Sequence, residues 1–333
     1  MNPTATKQNG PAEFRSNGAG TTSDPVQKPR VAVLMAVRDG ERFLSQQLDS
    51  LARQKSVDVD LWISDDGSSD GSIELIRRVA DSWTLGRLEV VDGPRRGFAE
   101  NFRSLIVRAE INVDFLAFCD QDDLWDDDKL AHAIEWLKTQ PVALPALYCS
   151  RTRIIAANGE IVRQSPRFPR PPCFRNAIVQ SIAGGNTMVM NRAAHDLVAE
   201  ASRRTGFVSH DWWCYMIVSG AGGNVCYCAQ PRVSYRQHDG NLVGENNNWR
   251  ARMSRLGFLM RGRFREWNDR NLSGLTACAD LLTDDARRTL ELFIRSREGR
   301  LTVRLRSLWR SGAYRQTVLG EWGLYLACIV RRL

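Results

Sequence analysis

The first half of the chain alternates short apolar runs with amphipathic segments, and this alternation constrains the fold more than any other feature. The run RVAVLMAV (30–37) is continuously apolar, which is typical of a central parallel strand. The next segment, 41–54, places its apolar residues at helical spacing. The same order of strand and helix repeats at 59–83, 87–110 and 114–138. It predicts an α/β fold with a parallel sheet covered by helices on both faces.

After about residue 140 the alternation becomes less regular. ALYCSRTRIIAANG (146–159) and NVCYCAQPRVSYR (224–236) predict further strands, and GFVSHDWWCYMIVSGAGG (206–223) predicts an apolar helix. From residue 246 onwards the pattern predicts helices rich in arginine. No internal repeat is found, which excludes a solenoid.

Charge is distributed unevenly along the chain. The net charge is +8, but residues 246–333 contain 18 arginines, no lysine and 8 acidic residues, a net charge of +10. Residues 1–29 are polar and lack the apolar core of a signal peptide, so we expect a disordered leader and a cytoplasmic protein. We therefore divide the chain into the leader, a main domain at 30–245, and a basic helical extension at 246–333.

The eight cysteines do not form a metal-binding pattern. Several interrupt apolar runs, and the spacing of Cys226 and Cys228 does not suit a zinc knuckle. Alternation along a strand would place these two thiols on one face. We expect reduced and mostly buried thiols.

Polar residues follow three of the predicted strands. VRDGE (37–41) follows the first strand, SDDGSSDGS (64–72) ends the second, and CDQDDLW (119–125) ends the fourth. In open α/β sheets, ligands bind beyond the carboxyl ends of the strands. The sequence therefore predicts that these three segments meet at one crevice.

Residues 120–128 contain six aspartates, which repel one another unless a cation lies among them. In an extended segment Asp120 and Asp122 would point the same way. A magnesium or manganese ion would complete its coordination shell with such carboxylates and the oxygens of a diphosphate. Asp123 would point elsewhere and fix the backbone or the start of the following helix. Asp126–Asp128 are expected to lie in the first turn of that helix (126–138), as capping or solvated residues.

In this order the motifs resemble family 2 glycosyltransferases with the GT-A fold, over roughly residues 30–245. The similarity is carried by VAVLMAVRDGERFLSQQLDSLARQ, SDDGSSDGS and FCDQDDLW. HDWW (210–213) and YRQHDGNLVG (235–244) are similar to the rhamnosyltransferase-like branch that builds bacterial surface polysaccharide such as O-antigen. The resemblance implies inverting transfer from a nucleotide sugar, with Mn²⁺ or Mg²⁺ as cofactor. The absence of Gln-x-x-Arg-Trp favours addition of single sugars.

The resemblance also implies roles for individual residues. Donor-nucleotide contacts fall on Ala36, Val37, Arg38, Glu41, Asp65, Asp66 and Asp120. Metal binding falls on Asp120, Asp122 and His238, and contacts with the diphosphate or the acceptor fall on Asp123, Gly185, Asn186, Trp212 and Arg236. Asp211 matches the general base, because inversion needs a base on the face opposite the leaving nucleotide. His210 is expected to orient Asp211 or to cap its helix.

The C-terminal extension has two interpretations. Its apolar stretch WGLYLACIV (322–330) is shorter than the ~20 residues of a membrane-spanning helix. Arginines among Trp and Leu favour an amphipathic helix at a membrane surface; the alternative is a helix packed on the main domain. The resemblance implies a glycan acceptor on a polyprenyl diphosphate, and hence a peripheral protein on the inner face of the cytoplasmic membrane.

Three other functions remain as alternatives. The best donor is dTDP-rhamnose, and a transferase of the same fold that uses a UDP-hexose is the alternative. A nucleotidyltransferase usually needs a glycine-rich basic loop after the first strand, where AVRDGE (36–41) has one glycine and one arginine. Nucleic-acid binding by the arginine-rich extension is not expected, because no nucleic-acid-binding motif occurs and the extension carries many Leu and Trp.

Overall fold

In the computed structural model the described residues are 28–238 and 263–333. The predicted leader, apart from its last two residues, and the boundary at 245 lie outside the described residues. The strands are β1 (Arg30–Val37), β2 (Asp58–Asp65), β3 (Leu88–Asp92), β4 (Phe115–Cys119), β5 (Leu124–Trp125), β6 (Ala146–Ser150), β7 (Arg153–Ile155), β8 (Ile161–Gln164), β9 (Val189–Asn191), β10 (Asn224–Cys228) and β11 (Val233–Arg236). The helices are α1 (Glu41–Ala52), α2 (Ser72–Ala80), α3 (Phe98–Ile106), α4 (Lys129–Lys138), α5 (Phe174–Ala177), α6 (Arg192–Arg204), α7 (His210–Gly220), α8 (Arg263–Ala277), α9 (Asp284–Arg295), α10 (Leu301–Ser311) and α11 (Val318–Ile329).

A seven-stranded sheet forms the centre, in the order β10-β6-β9-β4-β1-β2-β3. β1 pairs in parallel with both β2 and β4, so the ends of these three strands lie side by side as predicted. The predicted parallel arrangement of the first four strands is confirmed, whereas β9, which the pattern did not predict, runs antiparallel to β4 and β6. β9 has only three residues, too few for a periodic signal in the sequence.

Side chains of β1 alternate between the two faces of the sheet. Val31, Val33 and Met35 pack in one apolar cluster with residues of α1 and α4. Ala32 and Leu34 pack in a second cluster, with residues of α3, α6 and α7. Because both faces are covered, the strand carries no polar residue in its interior, which explains its continuous apolar sequence.

A second sheet of four strands lies beside the first, in the order β5-β11-β7-β8. β11 pairs antiparallel with β5 and parallel with β7. β5 directly follows residues 120–123, which form the acidic turn. Its pairing with β11 therefore brings the end of β11 to the carboxyl end of β4. The acidic turn is not extended, so the extended geometry assumed for Asp120 and Asp122 is wrong.

The three acidic residues before α4 lie outside that helix, so their predicted place in its first turn is wrong. α4 begins at Lys129, with Asp128 as its N-cap residue. Asp126 pairs with Arg153, and Asp127 lies 3.1 Å from the amino group of Lys55. They are solvated, ion-paired turn residues, as the second part of the prediction stated.

The C-terminal helices share the core of the main domain. Leu275, Phe293, Leu308 and Leu324 belong to the same apolar cluster as α7 and one face of β1. Among the described residues, α8–α11 therefore pack in the core of the main domain, and the packed-helix interpretation holds for their inner faces. Among the described residues, no helix is both long and apolar enough to cross a bilayer.

All eight cysteines are free thiols. Cys119, Cys149, Cys214, Cys278 and Cys328 are buried, and the other three are partly buried. Cys226 and Cys228 both pack against the cluster that contains α4, whereas Tyr227 between them packs against the other cluster. The prediction for the cysteines is confirmed.

Candidate active site

The loops after β1 and β2 are tied together by reciprocal hydrogen bonds. The Glu41 carboxylate accepts from the backbone of Gly71 at 3.0 Å, and its own N–H donates to Asp70 at 3.0 Å. Asp39 accepts from the backbone N–H of Ser69 at 2.7 Å. These carboxylates hold the two loops in one conformation. Glu41 is thus hydrogen-bonded to the neighbouring loop, and its contact with a nucleotide stays a prediction.

Asp65 and Asp66 organise the backbone at the end of β2. Asp65 accepts from the N–H of Ser68 at 3.1 Å and so closes the turn. Asp66 is buried and accepts from the N–H groups of Arg95 and Gly97 at 2.6 and 2.8 Å, which fixes the loop between β3 and α3. Their predicted contact with a nucleotide base stays a prediction.

Gln121 joins the loop after β1 to the acidic turn. It accepts from the N–H of Arg38 at 2.8 Å and donates to the carbonyl of Arg38 at 3.0 Å. A Cβ atom at Gly40 would lie 2.7 Å from the Gln121 Oε1, so a larger residue would displace the end of this side chain and disturb its hydrogen bonds to Arg38. Sequence reasoning missed Gln121, although it lies within the DQDD motif.

The three residues predicted to line the nucleotide pocket at the end of β1 differ in accessibility. Val37 is buried in the core, so its side chain cannot line a nucleotide pocket. Ala36 is partly buried, and the guanidinium of Arg38 is largely exposed. Arg38, and Ala36 to a smaller extent, can therefore line a pocket as predicted, whereas Val37 cannot.

A cleft of about 260 Å³ opens between these loops and the end of β11. Its lining residues are Asp39, Gly40, Arg42, Phe43, Gln121, Asp122 and His238. The His238 ring nitrogen lies 2.7 Å from Asp122 Oδ2, and the ring packs on Phe43 with 4.9 Å between centroids. The structure thus joins Asp122 and His238, which lie 116 positions apart in the sequence.

Asp120 and Asp211 lie close to this pair. Partial burial, with the charges of Asp122 and Asp211, raises the pKa of Asp120 to about 7. Asp211 lies in the first turn of α7 and is partly exposed, and the Ser181 hydroxyl donates to it at 3.4 Å. Asp120 therefore lies within electrostatic range of both Asp122 and Asp211.

Asp123 is part of the scaffold of the site. It is fully buried, and its carboxylate accepts from the Asn186 side chain and from the Arg236 backbone. Its predicted contact with diphosphate or acceptor does not fit this burial, whereas the expectation that it fixes backbone does. Asn186 is buried as well, so the predicted sugar contact does not fit its position.

Arg236 is also held by protein groups. Its guanidinium donates to the carbonyls of Asp122 and Ala157 at 3.0 and 2.9 Å and to Gln46 at 2.8 Å. It lies 4.6 Å from the Phe43 ring centre. With an exposed fraction of 2%, Arg236 supports the acidic turn from beneath, and a direct diphosphate contact does not fit.

His210 lies in an apolar environment under the site. Its ring packs on Phe102 and Phe118, with centroid distances of 3.8 and 4.7 Å. Neither ring nitrogen has a hydrogen-bond partner among the described residues, and burial lowers the pKa of His210 to about 4. The expectation that His210 orients Asp211 or caps α7 is wrong, since Ser209 is the N-cap residue.

Gly185 and Trp212 have structural reasons for their identity. A Cβ atom at Gly185 would collide with the His210 ring, 2.7 Å from its Cδ2. Trp212 is buried, and its indole N–H donates to the Ala177 carbonyl at 2.6 Å. The predicted acceptor contact of Trp212 therefore does not fit this structure.

Lys129 is a buried cation that sequence reasoning missed. Its amino group lies 3.1 Å from the centre of the Trp125 ring and has no hydrogen-bond partner among the described residues. Burial lowers the pKa of Lys129 to about 7, against the opposing effect of Asp123 and Asp120. Lys129 supplies positive charge beneath the acidic turn, and only the DK pair at the start of α4 hinted at it.

The residues present provide part of a divalent-metal site. Within residues 28–238 and 263–333, no group of three His, Cys, Asp or Glu side chains is arranged as a complete site. Asp122 and His238 nevertheless place two donor atoms together, and beside them lies Asp120, whose pKa is raised by burial and by the charges of Asp122 and Asp211. Magnesium commonly uses only one or two carboxylates and takes its other ligands from substrate phosphates and water, so the Asp122 carboxylate fits such an ion, whereas the His238 imidazole is a nitrogen donor of the kind that transition metals prefer.

The fold and these strand-end loops define a GT-A type glycosyltransferase. Residues 32–197 match the family model described as Glycosyl transferase family 2. The chain is 26% identical over 265 residues to dTDP-rhamnosyl transferase RfbG of Shigella flexneri, which covers 76% of this chain and 86% of that protein. The chain belongs to glycosyltransferase family 2.

Two further similarities agree with this assignment. An uncharacterized glycosyltransferase, alr2836 of Nostoc, is 26% identical over 113 residues, which is 34% of each chain. The crystal structure of S. aureus TarS 1-349 in complex with UDP-GlcNAc has a TM-score of 0.51 and 13% identity, and covers 86% of this chain and 93% of that chain. At 13% identity, the similarity to the TarS structure shows a shared fold alone.

Proposed function

We propose that the protein transfers a sugar with inversion from a nucleotide sugar to a growing, lipid-linked surface glycan. The leading donor is dTDP-rhamnose, because the relative from Shigella flexneri is a dTDP-rhamnosyl transferase. The observation that carries the proposal is the closeness of Asp120 to Asp122 and Asp211, with Asp122 hydrogen-bonded to His238 at the wall of the cleft. We place the enzyme at the inner face of the cytoplasmic membrane, where such an acceptor would lie.

Asp211 is the proposed general base. It lies in the first turn of α7, partly exposed and on a rigid helix whose other side chains are mostly buried. A carboxylate there can accept the proton of an acceptor hydroxyl as the hydroxyl attacks the sugar. Asp122 and His238 would hold a divalent metal, which when bound would neutralise the charge that develops on the leaving diphosphate.

The supporting residues keep this geometry fixed. Asp123 and Arg236 connect the acidic turn to β11, and Gln121 connects it to the loop after β1. The donor side of the cleft is therefore ordered before substrate binds, so binding energy is not spent on organising it.

The first test is the variant Asp211→Asn. We expect transfer from dTDP-rhamnose to fall by about 10²- to 10⁴-fold, the usual range for loss of a general base, with nucleotide affinity unchanged. The matched control is Asp196→Asn, since Asp196 is exposed and pairs with Arg192 on the surface of α6. A variant at Asp211 that turns over at the wild-type rate would contradict the assignment of the base.

The donor is tested by a thermal-shift panel. UDP, dTDP, GDP, CMP and ATP are each added with Mn²⁺ and with chelator. A shift with dTDP that requires metal supports the proposed donor, whereas a shift with UDP alone selects the UDP-hexose alternative. No shift with any nucleotide in the presence of metal would contradict a nucleotide-sugar enzyme.

A further inference from the structure

Helix α11 exposes a continuous stripe of large apolar side chains. The stripe consists of Val318, Leu319, Trp322, Leu326 and Ile329 on the helix and Val330 directly after it, each 40–76% accessible. Their spacing places them on one side of the helix, opposite the buried Leu324, Ala327 and Cys328. Exposed apolar patches of this kind usually mark an interaction surface.

The stripe itself carries no charge. Within α11 the only charged residue is Glu321, which is partly buried. Its carboxylate accepts from the backbone N–H of Arg315 at 2.8 Å and lies 3.7 Å from the guanidinium of Arg170. Glu321 is thus engaged by its own protein, and the accessible face of the helix is apolar.

Arginines lie at both ends of the stripe. At its start, Arg170 and Arg315 line a shallow cleft of about 300 Å³ together with Trp322. At its end, Arg331 and Arg332 follow directly, and Arg331 is exposed. This arrangement of an apolar face between guanidinium groups is complementary to a surface that is apolar inside and anionic outside.

We propose that the stripe on α11 and these arginines form a docking surface for an anionic lipid bilayer. The apolar side chains would enter the boundary of the acyl chains, and the guanidinium groups would contact headgroup phosphates. A second copy of the chain fits less well, because a two-fold pairing of the stripes would bring arginines of both copies together. The inference rests on the membrane location under the proposed function, and it specifies the surface.

Flotation with vesicles tests this surface. Wild-type protein is mixed with vesicles of phosphatidylcholine alone or of phosphatidylcholine with phosphatidylglycerol, at low and high salt. We expect binding to the anionic vesicles that weakens at high salt. The double variant L319E/W322E should lower the bound fraction by about tenfold or more, because two large apolar side chains no longer enter the bilayer.

The matched control is Val142→Glu. Val142 is 90% exposed in the loop before β6, so this variant adds an exposed acid in place of an apolar residue away from α11. It should bind vesicles as the wild type does. Absence of wild-type binding to anionic vesicles, or equal binding by L319E/W322E, would overturn the proposal. So would a dimer that L319E/W322E abolishes, without vesicle binding by the wild type.

A second measurement does not depend on the double variant folding. Brominated lipids quench tryptophans that lie in the bilayer, so they should quench wild-type fluorescence, and Trp322→Phe should remove most of that quenching. Equal quenching in wild type and W322F would place the contact elsewhere and overturn the proposal. No sugar donor enters these experiments. Failure of docking is therefore separate from failure of the transferase, which is tested by nucleotide binding without lipid.

Discussion

Acidification should destabilise this protein through His210. The side chain is sealed between Phe102 and Phe118, and burial lowers its pKa from 6.5 to about 4. Between these values the unfolded chain binds a proton at His210 and the folded chain does not. The contribution to stability is therefore fully present above the unfolded pKa and is lost as pH falls towards the folded pKa.

The size of the effect follows from the shift in pKa. Each unit corresponds to about 1.4 kcal/mol, so His210 should remove about 2 kcal/mol of unfolding free energy between pH 7 and pH 5. The full loss by pH 4 approaches about 3 kcal/mol. For a chain that resists unfolding by only about 5–15 kcal/mol, this is a large fraction.

The measurement compares urea unfolding of the wild type with that of His210→Gln at several pH values. Gln does not titrate, and every other group titrates in both proteins, so the difference between the two free energies isolates His210. That difference should change by about 2 kcal/mol between pH 7 and pH 5. If the unfolding free energies of the two proteins change in parallel between pH 7 and pH 5, the reasoning that His210 is neutral because it is buried is refuted.

Three further substitutions test other parts of the site. Asp122→Ala should weaken metal-dependent nucleotide binding by about tenfold or more, whereas Asp127→Ala, at an ion-paired surface turn, should not. Calorimetric titration of nucleotide with Mn²⁺ present measures both affinities. An Asp122→Ala variant that binds nucleotide as tightly as the wild type would remove Asp122 from the metal site. Gly185→Ala should cost about 1–3 kcal/mol of stability through overpacking against the His210 ring, and Gly323→Ala, with open space around its Cβ, should not destabilise; thermal unfolding separates them, and equal melting temperatures would contradict the clash. Trp212→Phe should lower stability by about 1–3 kcal/mol, since the Ala177 carbonyl loses its donor, but leave the KM for acceptor unchanged; a raised KM would restore the predicted acceptor contact.

The sequence predicts the first strands and helices well because their signal is local. β1 and α1 are defined by continuous apolar residues and by helical spacing, and β1 has the predicted bounds. β9 escapes prediction because three buried residues carry no periodicity. Its direction in the sheet depends on the neighbours that it pairs with, and those are distant in the chain.

The site was predictable in position but less so in the role of each residue. The strand ends locate the acidic turn and the two loops, because parallel strands share an edge. Whether a carboxylate faces the cleft or a backbone N–H depends on atoms far away in the sequence. Asp123 accepts hydrogen bonds from Asn186 and Arg236, which lie 63 and 113 positions further along the chain. No spacing pattern in the sequence predicts contacts over such distances.

The shared core of α7 and the C-terminal helices has a consequence for acceptor length. Asp211 lies in the first turn of α7, and α7 and α11 contribute to one apolar cluster. Because this core joins the described helices, an enzyme that rests on lipid through α11 would hold its cleft at a constant height and tilt above the bilayer. A lipid-linked glycan would then present its terminal hydroxyl to Asp211 only when its length matches that height, and the packing of four helices would act as a ruler for the growing chain.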